Sequence, residues 1–298
     1  MSVTRCGFVA VVGRPNVGKS TLINALMGKK ISIVTAKPQT TRHRILAVHT
    51  EADVQIVFVD TPGIHRKGDK AMNRLMNRTA ANALADADAV LFISEAGRWT
   101  EEDADVLRRL ESVKSPVIAL LNKVDLVSQK ERILEFISEA QERYEFAEIV
   151  PVSAGKHDNL DALMDLIPSY LPESPPLFPA EMQTDRGIEF QAAEIIREKL
   201  MLNLHQEVPY GLTVQIEQLV SDEEGTSIDA IIWVERDSQK GIVIGAGGKV
   251  LKRVGREARL ELRELLQCPV HLELWVKVKD NWADSEKDLL NLGYESPQ

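Results

Sequence analysis

The sequence predicts an α/β chain of two domains, a doubly wound domain on a mixed sheet followed by a smaller α+β domain. Three observations carry this. Gly13-Arg14-Pro15-Asn16-Val17-Gly18-Lys19-Ser20 has the form G-x-x-x-x-G-K-S and sits between a valine-rich run, Phe8 to Val12, and a helical stretch, Thr21 to Met27, closed by Gly28. Further apolar runs alternate with helical stretches up to Ile167. Then Pro172, Pro175, Pro176 and Pro179 interrupt the chain, and the pattern changes beyond them. The boundaries read as a first domain over 1–171, a stiff linker over 172–184 and a second domain over 185–298.

Strand, glycine loop and helix together make a phosphate cradle. Glycines let several backbone N–H groups turn toward one anion, and the helix amino terminus adds its dipole. Lys19 supplies a mobile charge for the outer phosphates, and the Ser20 hydroxyl suits Mg²⁺.

The next segment, Lys29 to Arg44, is polar and aperiodic and reads as a loop; it holds Thr40 and Thr41. Ile45–Thr50 and Val54–Val59 read as a hairpin, one strand of which runs antiparallel to the rest. The second strand delivers Asp60-Thr61-Pro62-Gly63 to a strand end, where open α/β sheets bind ligands. A helix over Met72–Leu84, a strand over Asp88–Ile93 and a helix over Glu101–Leu110 follow. The strand Pro116–Leu121 ends in Asn122-Lys123-Val124-Asp125. A carboxylate there accepts hydrogen bonds from guanine N1 and N2, a donor pair adenine lacks, and the Lys123 stem covers the base. A helix over Glu131–Arg143 leads to a strand over Ala147–Val152 ending in Ser153-Ala154-Gly155-Lys156, and Leu160–Ile167 is helical.

In the second half, a helix over Glu189–Leu204 precedes strands over Leu212–Val220 and Ser227–Val234. Val243 to Lys249 contains Gly245-Ala246-Gly247-Gly248 and opens a helix to Gln267, and Val270–Val278 alternates as a strand. In that helix Leu251, Val254, Ala258, Leu262 and Leu265 recur at spacings of three and four and should form a buried stripe, and Lys249, Lys252, Arg253, Arg256, Arg259 and Arg263 occupy other faces. A Gly-x-x-Gly loop beside basic side chains in this element order fits a type II KH module, whose loop clamps a nucleic-acid backbone. Acidic lipids are the alternative partner for such a helix.

Composition narrows the classes. Hydrophobic residues are 44% and charged ones 27% of 298, ordinary for a globular chain. Cys6 and Cys268 have neither framework nor metal-ligand spacing, which suits a reducing compartment. Residues 1–5 lead directly into the first strand, so no signal peptide is expected, and no apolar run reaches the ~18 residues of a spanning helix. The net charge of −9 speaks against general nucleic-acid binding, but screening over ~8 Å lets a local basic patch act alone.

G-x-x-x-x-G-K-S, a threonine loop, D-x-x-G, N-K-x-D and S-A-x-K in this order resemble the motifs of translation-factor-type GTPases. Joined to a type II KH module, and with Pro269–Lys279 and Trp282-Ala283-Asp284 near the end, the chain resembles the Era family of bacterial ribosome-assembly GTPases. The resemblance implies a P-loop GTPase domain that binds GTP and GDP with Mg²⁺ and hydrolyses GTP slowly. It implies a cradle from Gly13 through Thr21, with Arg14, Pro15, Asn16, Val17, Gly18, Lys19 and Ser20 all in contact. Ser20 and Thr41, with Thr40 as alternative, would ligate Mg²⁺, Asp60 would act through water, and Gly63 would meet the γ-phosphate. Asn122, Lys123, Asp125, Ser153 and Ala154 would hold guanine. Lys19, Thr41, Gly63 and Asn16 would serve catalysis. Asn16 stands where GTPases using a monovalent cation carry an asparagine ligand, which would bring in K⁺. Ile64 stands where a Ras-like glutamine would orient water. The implied partners are the 3′ end of 16S ribosomal RNA, through Gly245, Ala246, Gly247, Gly248, Lys249, Lys252, Arg253 and Arg256, and the 30S subunit. A cytoplasmic monomer with peripheral inner-membrane contact is implied as well. Alternatives from other classes are a nucleotide-sensing RNA-binding module with negligible turnover and a membrane-linked signalling GTPase.

Overall fold

The computed structural model describes residues 4–63, 70–204 and 208–294. The chain divides into two compact units, the first reaching Asp185 except for Lys70–Met72, which group with the second.

In the first unit β1 (Arg5–Val12), β2 (Ile45–Glu51), β3 (Val54–Asp60), β4 (Ala89–Glu95), β5 (Val117–Asn122) and β6 (Glu148–Pro151) form one sheet in the order β2-β3-β1-β4-β5-β6. Of these strands only β2 is antiparallel to its neighbour. Helices α1 (Lys19–Met27), α2 (Ala71–Ala85), α3 (Glu101–Leu110), α4 (Arg132–Arg143) and α5 (Leu160–Leu166) connect the strands. Both faces are buried, which explains the continuous apolar runs. Alternate residues enter different cores: Val9, Val11, Leu91 and Ile93 pack with Leu22, Ile23 and Leu163, whereas Ala10, Val12, Val90 and Phe92 pack with Leu84, Val106 and Leu110. Because the central strands are parallel, the ends of β1, β3, β4 and β5 lie at one edge of the sheet, where the polar motifs follow.

The proline-rich segment is laid along this sheet. Gln55 on β3 is 1% exposed. Its Oε1 accepts from Leu177 N (2.8 Å) and Phe178 N (2.9 Å), and its Nε2 donates to Phe178 O. Val48 N of the edge strand donates to Gln183 O, and Leu46 N to Asp185 Oδ1. Edge-strand donors that would face water or another chain are thereby paired within the unit.

The second unit contains α6 (Ile188–Asn203), β7 (Leu212–Ser221), β8 (Thr226–Val234), α7 (Asp237–Ile244), α8 (Lys249–Leu266), β9 (Val270–Val278) and α9 (Glu286–Asn291). Its sheet runs β7-β8-β9, antiparallel then parallel. One sheet face packs against α6 and α8 through Ile196, Leu200, Ile232, Val254, Ala258, Leu262 and Val276. Two sequence expectations need correction. Val243 and Ile244 belong to the last turn of α7, because Gly245 N still bonds Gly241 O, so the glycine loop starts only at Gly245. In α8, Val254, Ala258 and Leu262 are buried, but Leu251 and Leu265 at the ends of the stripe are only half-buried. Among the described residues, no helix is long and apolar enough to cross a membrane.

Candidate functional site

The phosphate loop leaves β1 at Val12 and enters α1 at Lys19. A Cβ on Gly13 would lie 2.4 Å from Ile93 O. Gly18 has φ 104°, and a Cβ there would lie 2.5 Å from Asn122 Nδ2. Both positions therefore require glycine if the loop is to close against β4 and β5. Inside the loop Lys19 is 7% exposed, and its ammonium donates to Gly13 O and Arg14 O at 3.0 Å each. Burial pulls its pKa down to about 8, against the opposing pull of Asp60.

Three residues assigned to Mg²⁺ meet here. Ser20 Oγ lies 2.8 Å from Thr41 Oγ1 and donates to Asp60 Oδ2 at 2.9 Å. Thr40 turns elsewhere: its hydroxyl donates to Lys37 O and lies 2.7 Å from Thr35 Oγ1. Asp60 is fully buried, and its Oδ1 has no hydrogen-bond partner among the described residues. Burial pushes its carboxyl up, while the Ser20 hydroxyl and the Lys19 charge pull it down. An orphaned buried carboxylate oxygen beside two clustered hydroxyls is a donor set suited to a hard, hydrated divalent cation. Pro15, Lys19, Ser20, Thr35, Thr41 and Gly63 are among the residues lining an open cleft of ≈ 440 Å³. Ile64 lies outside the described residues.

The base side is built on the ends of β5 and β6. Asn122 spans three loops, donating to Val17 O (2.8 Å) and accepting from Ala154 N (3.0 Å). Lys123 turns the chain with φ 63°, and its ammonium donates to Asn16 O at 3.1 Å. Ser153 Oγ donates to Asp125 Oδ1 at 2.5 Å, orienting an exposed carboxylate. Asn16 is exposed with φ 65°. Arg14, by contrast, is turned away from the cleft. Its guanidinium bonds Asp103 Oδ2 and Glu95 Oε2, both at 3.1 Å. Asp103 also closes the α3 capping box with Thr100, which the sequence shows as T-x-x-D. Glu95 and Asp103 escaped the sequence reading, since an acidic residue at a strand end or in a first helical turn is ordinary.

In the second unit Gly245, Gly247 and Gly248 all have positive φ, 71°, 61° and 76°. A Cβ on Gly245 would lie 2.5 Å from Val250 Cγ2, while Gly247 has open space around it. The loop opens α8 directly, and Ala246, Lys249, Lys252, Arg253 and Arg256 are exposed. Lys252, Arg253 and Arg256 lie opposite the stripe that faces the sheet.

Comparison with known proteins agrees with this architecture. A family model described as 50S ribosome-binding GTPase matches residues 8–123, and a KH domain model matches residues 207–283. GTPase Era of Actinobacillus pleuropneumoniae serotype 5b is 50% identical over 98% of this chain and 96% of its own length. GTPase Era of Pseudomonas fluorescens is 49% identical over 98% of both. Among solved structures, Era in complex with MgGDPNP and nucleotides 1506–1542 of 16S ribosomal RNA superposes with TM-score 0.94 at 40% identity, covering 98% of this chain and 99% of that one. A singly substituted Aquifex aeolicus Era bound to GDP.AlF4⁻ gives the same values. With the phosphate loop, guanine loop and glycine-loop module already in place, these similarities show that the chain belongs to the Era family of GTPases.

Proposed function

We propose that this chain hydrolyses GTP slowly and binds the 3′ end of 16S ribosomal RNA through its KH domain, acting as a cytoplasmic monomer in small-subunit assembly. The observation that carries the reading is the union in one chain of an open cleft, whose phosphate and guanine loops are tied together by Asn122, with a glycine loop opening an exposed basic helix. The relative solved with MgGDPNP and a 16S segment supports it.

On this reading the loop N–H groups from Gly13 to Ser20 and the Lys19 ammonium meet charge on the phosphate oxygens. Gly63, which lines the cleft, would meet the γ-phosphate through its N–H, and Asp125, oriented by Ser153, would select guanine. Ser20 and Thr41 hydroxyls, with Asp60 through water, would hold Mg²⁺, which when bound neutralises phosphate charge. Ile64 stands where a Ras-like glutamine would orient water, and a hydrocarbon side chain has no hydrogen bond to offer one, which supports slow turnover. Asn16 is the residue that would hold a K⁺ near the phosphates.

GTP turnover by the full chain, with and without a 3′-terminal 16S fragment, tests the reading. Turnover below about 10⁻² s⁻¹ without RNA, together with salt-sensitive RNA binding, is expected. A chain that binds neither GTP nor the fragment would sink it.

A further inference from the structure

We propose that Glu95 is a positioning residue for guanine-nucleotide binding, its single oxygen Oε2 tying the phosphate loop to the guanine loop. This deepens the functional reading above and rests on it. Glu95 closes β4, and β4 lies between β1 and β5, the strands that carry the two loops. From that point Oε2 accepts from Arg14 Nη2 at 3.1 Å and from Lys123 Nζ at 3.2 Å.

Both donors belong to loops whose geometry matters. Lys123 Nζ also donates to Asn16 O, so Glu95 and the phosphate loop together fix the ammonium whose stem is to lie along the base. The Arg14 carbonyl accepts from Lys19 Nζ, so the side chain holding Arg14 in place also holds an acceptor of the phosphate-binding lysine. Asp103 takes the Arg14 Nε, leaving Nη2 for Glu95. The Glu95 side chain is 19% exposed, and those of Arg14 and Lys123 are 8% and 31% exposed, so the cluster is shielded but not sealed. Burial would push the Glu95 carboxyl up, yet the Lys123 and Arg14 charges outweigh it and hold it below the usual carboxylate range. It is therefore ionised at neutral pH, and both contacts are charge-assisted hydrogen bonds.

Without Glu95, two cations that now lie 3.1 and 3.2 Å from a shared oxygen would face each other across the gap. Their repulsion would loosen the Lys123 loop from the Arg14 loop while leaving the Gly63 side of the cleft untouched. Binding should suffer more than chemistry, because no contact of Glu95 reaches Thr41 or Asp60.

The test uses full-length wild type, Glu95→Ala and Glu95→Gln, reading release of a fluorescent GDP analogue and steady-state GTP turnover. Glu95→Ala should speed GDP release and raise KM, each by about ten-fold, the effect of one charge-assisted hydrogen bond, with kcat within about two-fold. Glu95→Gln, which keeps an acceptor but not the charge, should fall between, at about three-fold. In a Lys123→Ala background the Glu95 substitution should add much less than it does alone. Wild-type release and KM in a folded Glu95→Ala protein would overturn the proposal. If that variant does not fold, wild-type values in Glu95→Gln overturn it instead. A fall in kcat with KM unchanged would also overturn it, since that assigns Glu95 to the chemical step. A wild type that binds no GDP at all would overturn the functional reading itself, which separates the two failures.

Discussion

The two units use positive charge in opposite ways. In the first, Lys19 is buried, desolvated and bonded to two backbone carbonyls, and Arg14 and Lys123 are clamped on Glu95. In the second, Lys249, Lys252, Arg253 and Arg256 stand exposed around a glycine loop. A buried, preorganised charge interacts strongly with a ligand of one shape, because little solvent screens it. Exposed charges on long side chains attract any phosphate backbone and are screened by salt. Selectivity should reside in the first site and salt sensitivity in the second.

The largest expected effect tests selectivity. Asp125→Asn removes the acceptor pair that guanine requires, and sites of this kind discriminate by up to ~10⁴-fold. GTP preference should collapse in favour of a base presenting a carbonyl there, as in xanthosine triphosphate. Unchanged preference in a competition assay would mean the exposed carboxylate held by Ser153 does not read the base.

A pH series sharpens the contrast between the two kinds of lysine. Lys19 has a pKa of about 8. Phosphate charge favours its protonated form, so the bound value is higher. Below pH 8 the lysine is already charged and affinity should be flat. Above it a proton must be taken up on binding, and GTP affinity should fall by up to about ten-fold per pH unit until the bound pKa is reached. Calorimetry in buffers of different ionisation enthalpy would detect this uptake about one unit above the free pKa. Its absence would mean Lys19 stays charged despite burial.

Breaking the other side requires only salt. Lys252→Ala with Arg256→Ala should flatten the log–log salt dependence of RNA binding by about 0.7 per lost phosphate contact. GTP affinity should hold. A slope equal to wild type would leave α8 without phosphate contacts, and binding to anionic vesicles in place of RNA would favour the lipid reading of the same helix.

The smallest effect concerns Asn16, the exposed residue of a loop whose other positions are buried or half-buried. Replacing Na⁺ by K⁺ at constant ionic strength should raise wild-type turnover several-fold, less than a buried transition-state donor supplies because water screens an exposed site, and should leave Asn16→Ala unmoved. Equal wild-type rates in both salts would confine Asn16 to bracing the turn.

Much of the fold was legible because doubly covered strands read as unbroken apolar runs. Val9–Val12, Val57–Val59 and Ile118–Leu121 are buried throughout, and the motifs that follow them need particular residues for geometric reasons. Gly13 and Gly18 announce the close approaches to Ile93 and Asn122 before those partners are known. The short helix α7 was harder to delimit, because Gly241 interrupts its pattern and Gly245 ends it within 8 residues.

The sequence by itself determined the strand–loop–helix order, the glycine positions, the place of the Asp125 carboxylate just after β5 and the basic face of α8, since each follows from local periodicity or from a residue type with few physical uses. Tertiary structure alone decided that Thr41 rather than Thr40 turns to Ser20, that Gln55 fastens residues 177–178 to the sheet, and that Glu95 joins Arg14 to Lys123. Those partners lie between 21 and 123 residues apart, or, for the two threonines, differ only in which way a loop turns. Such pairings come from strand order and loop path, which no spacing along the chain encodes.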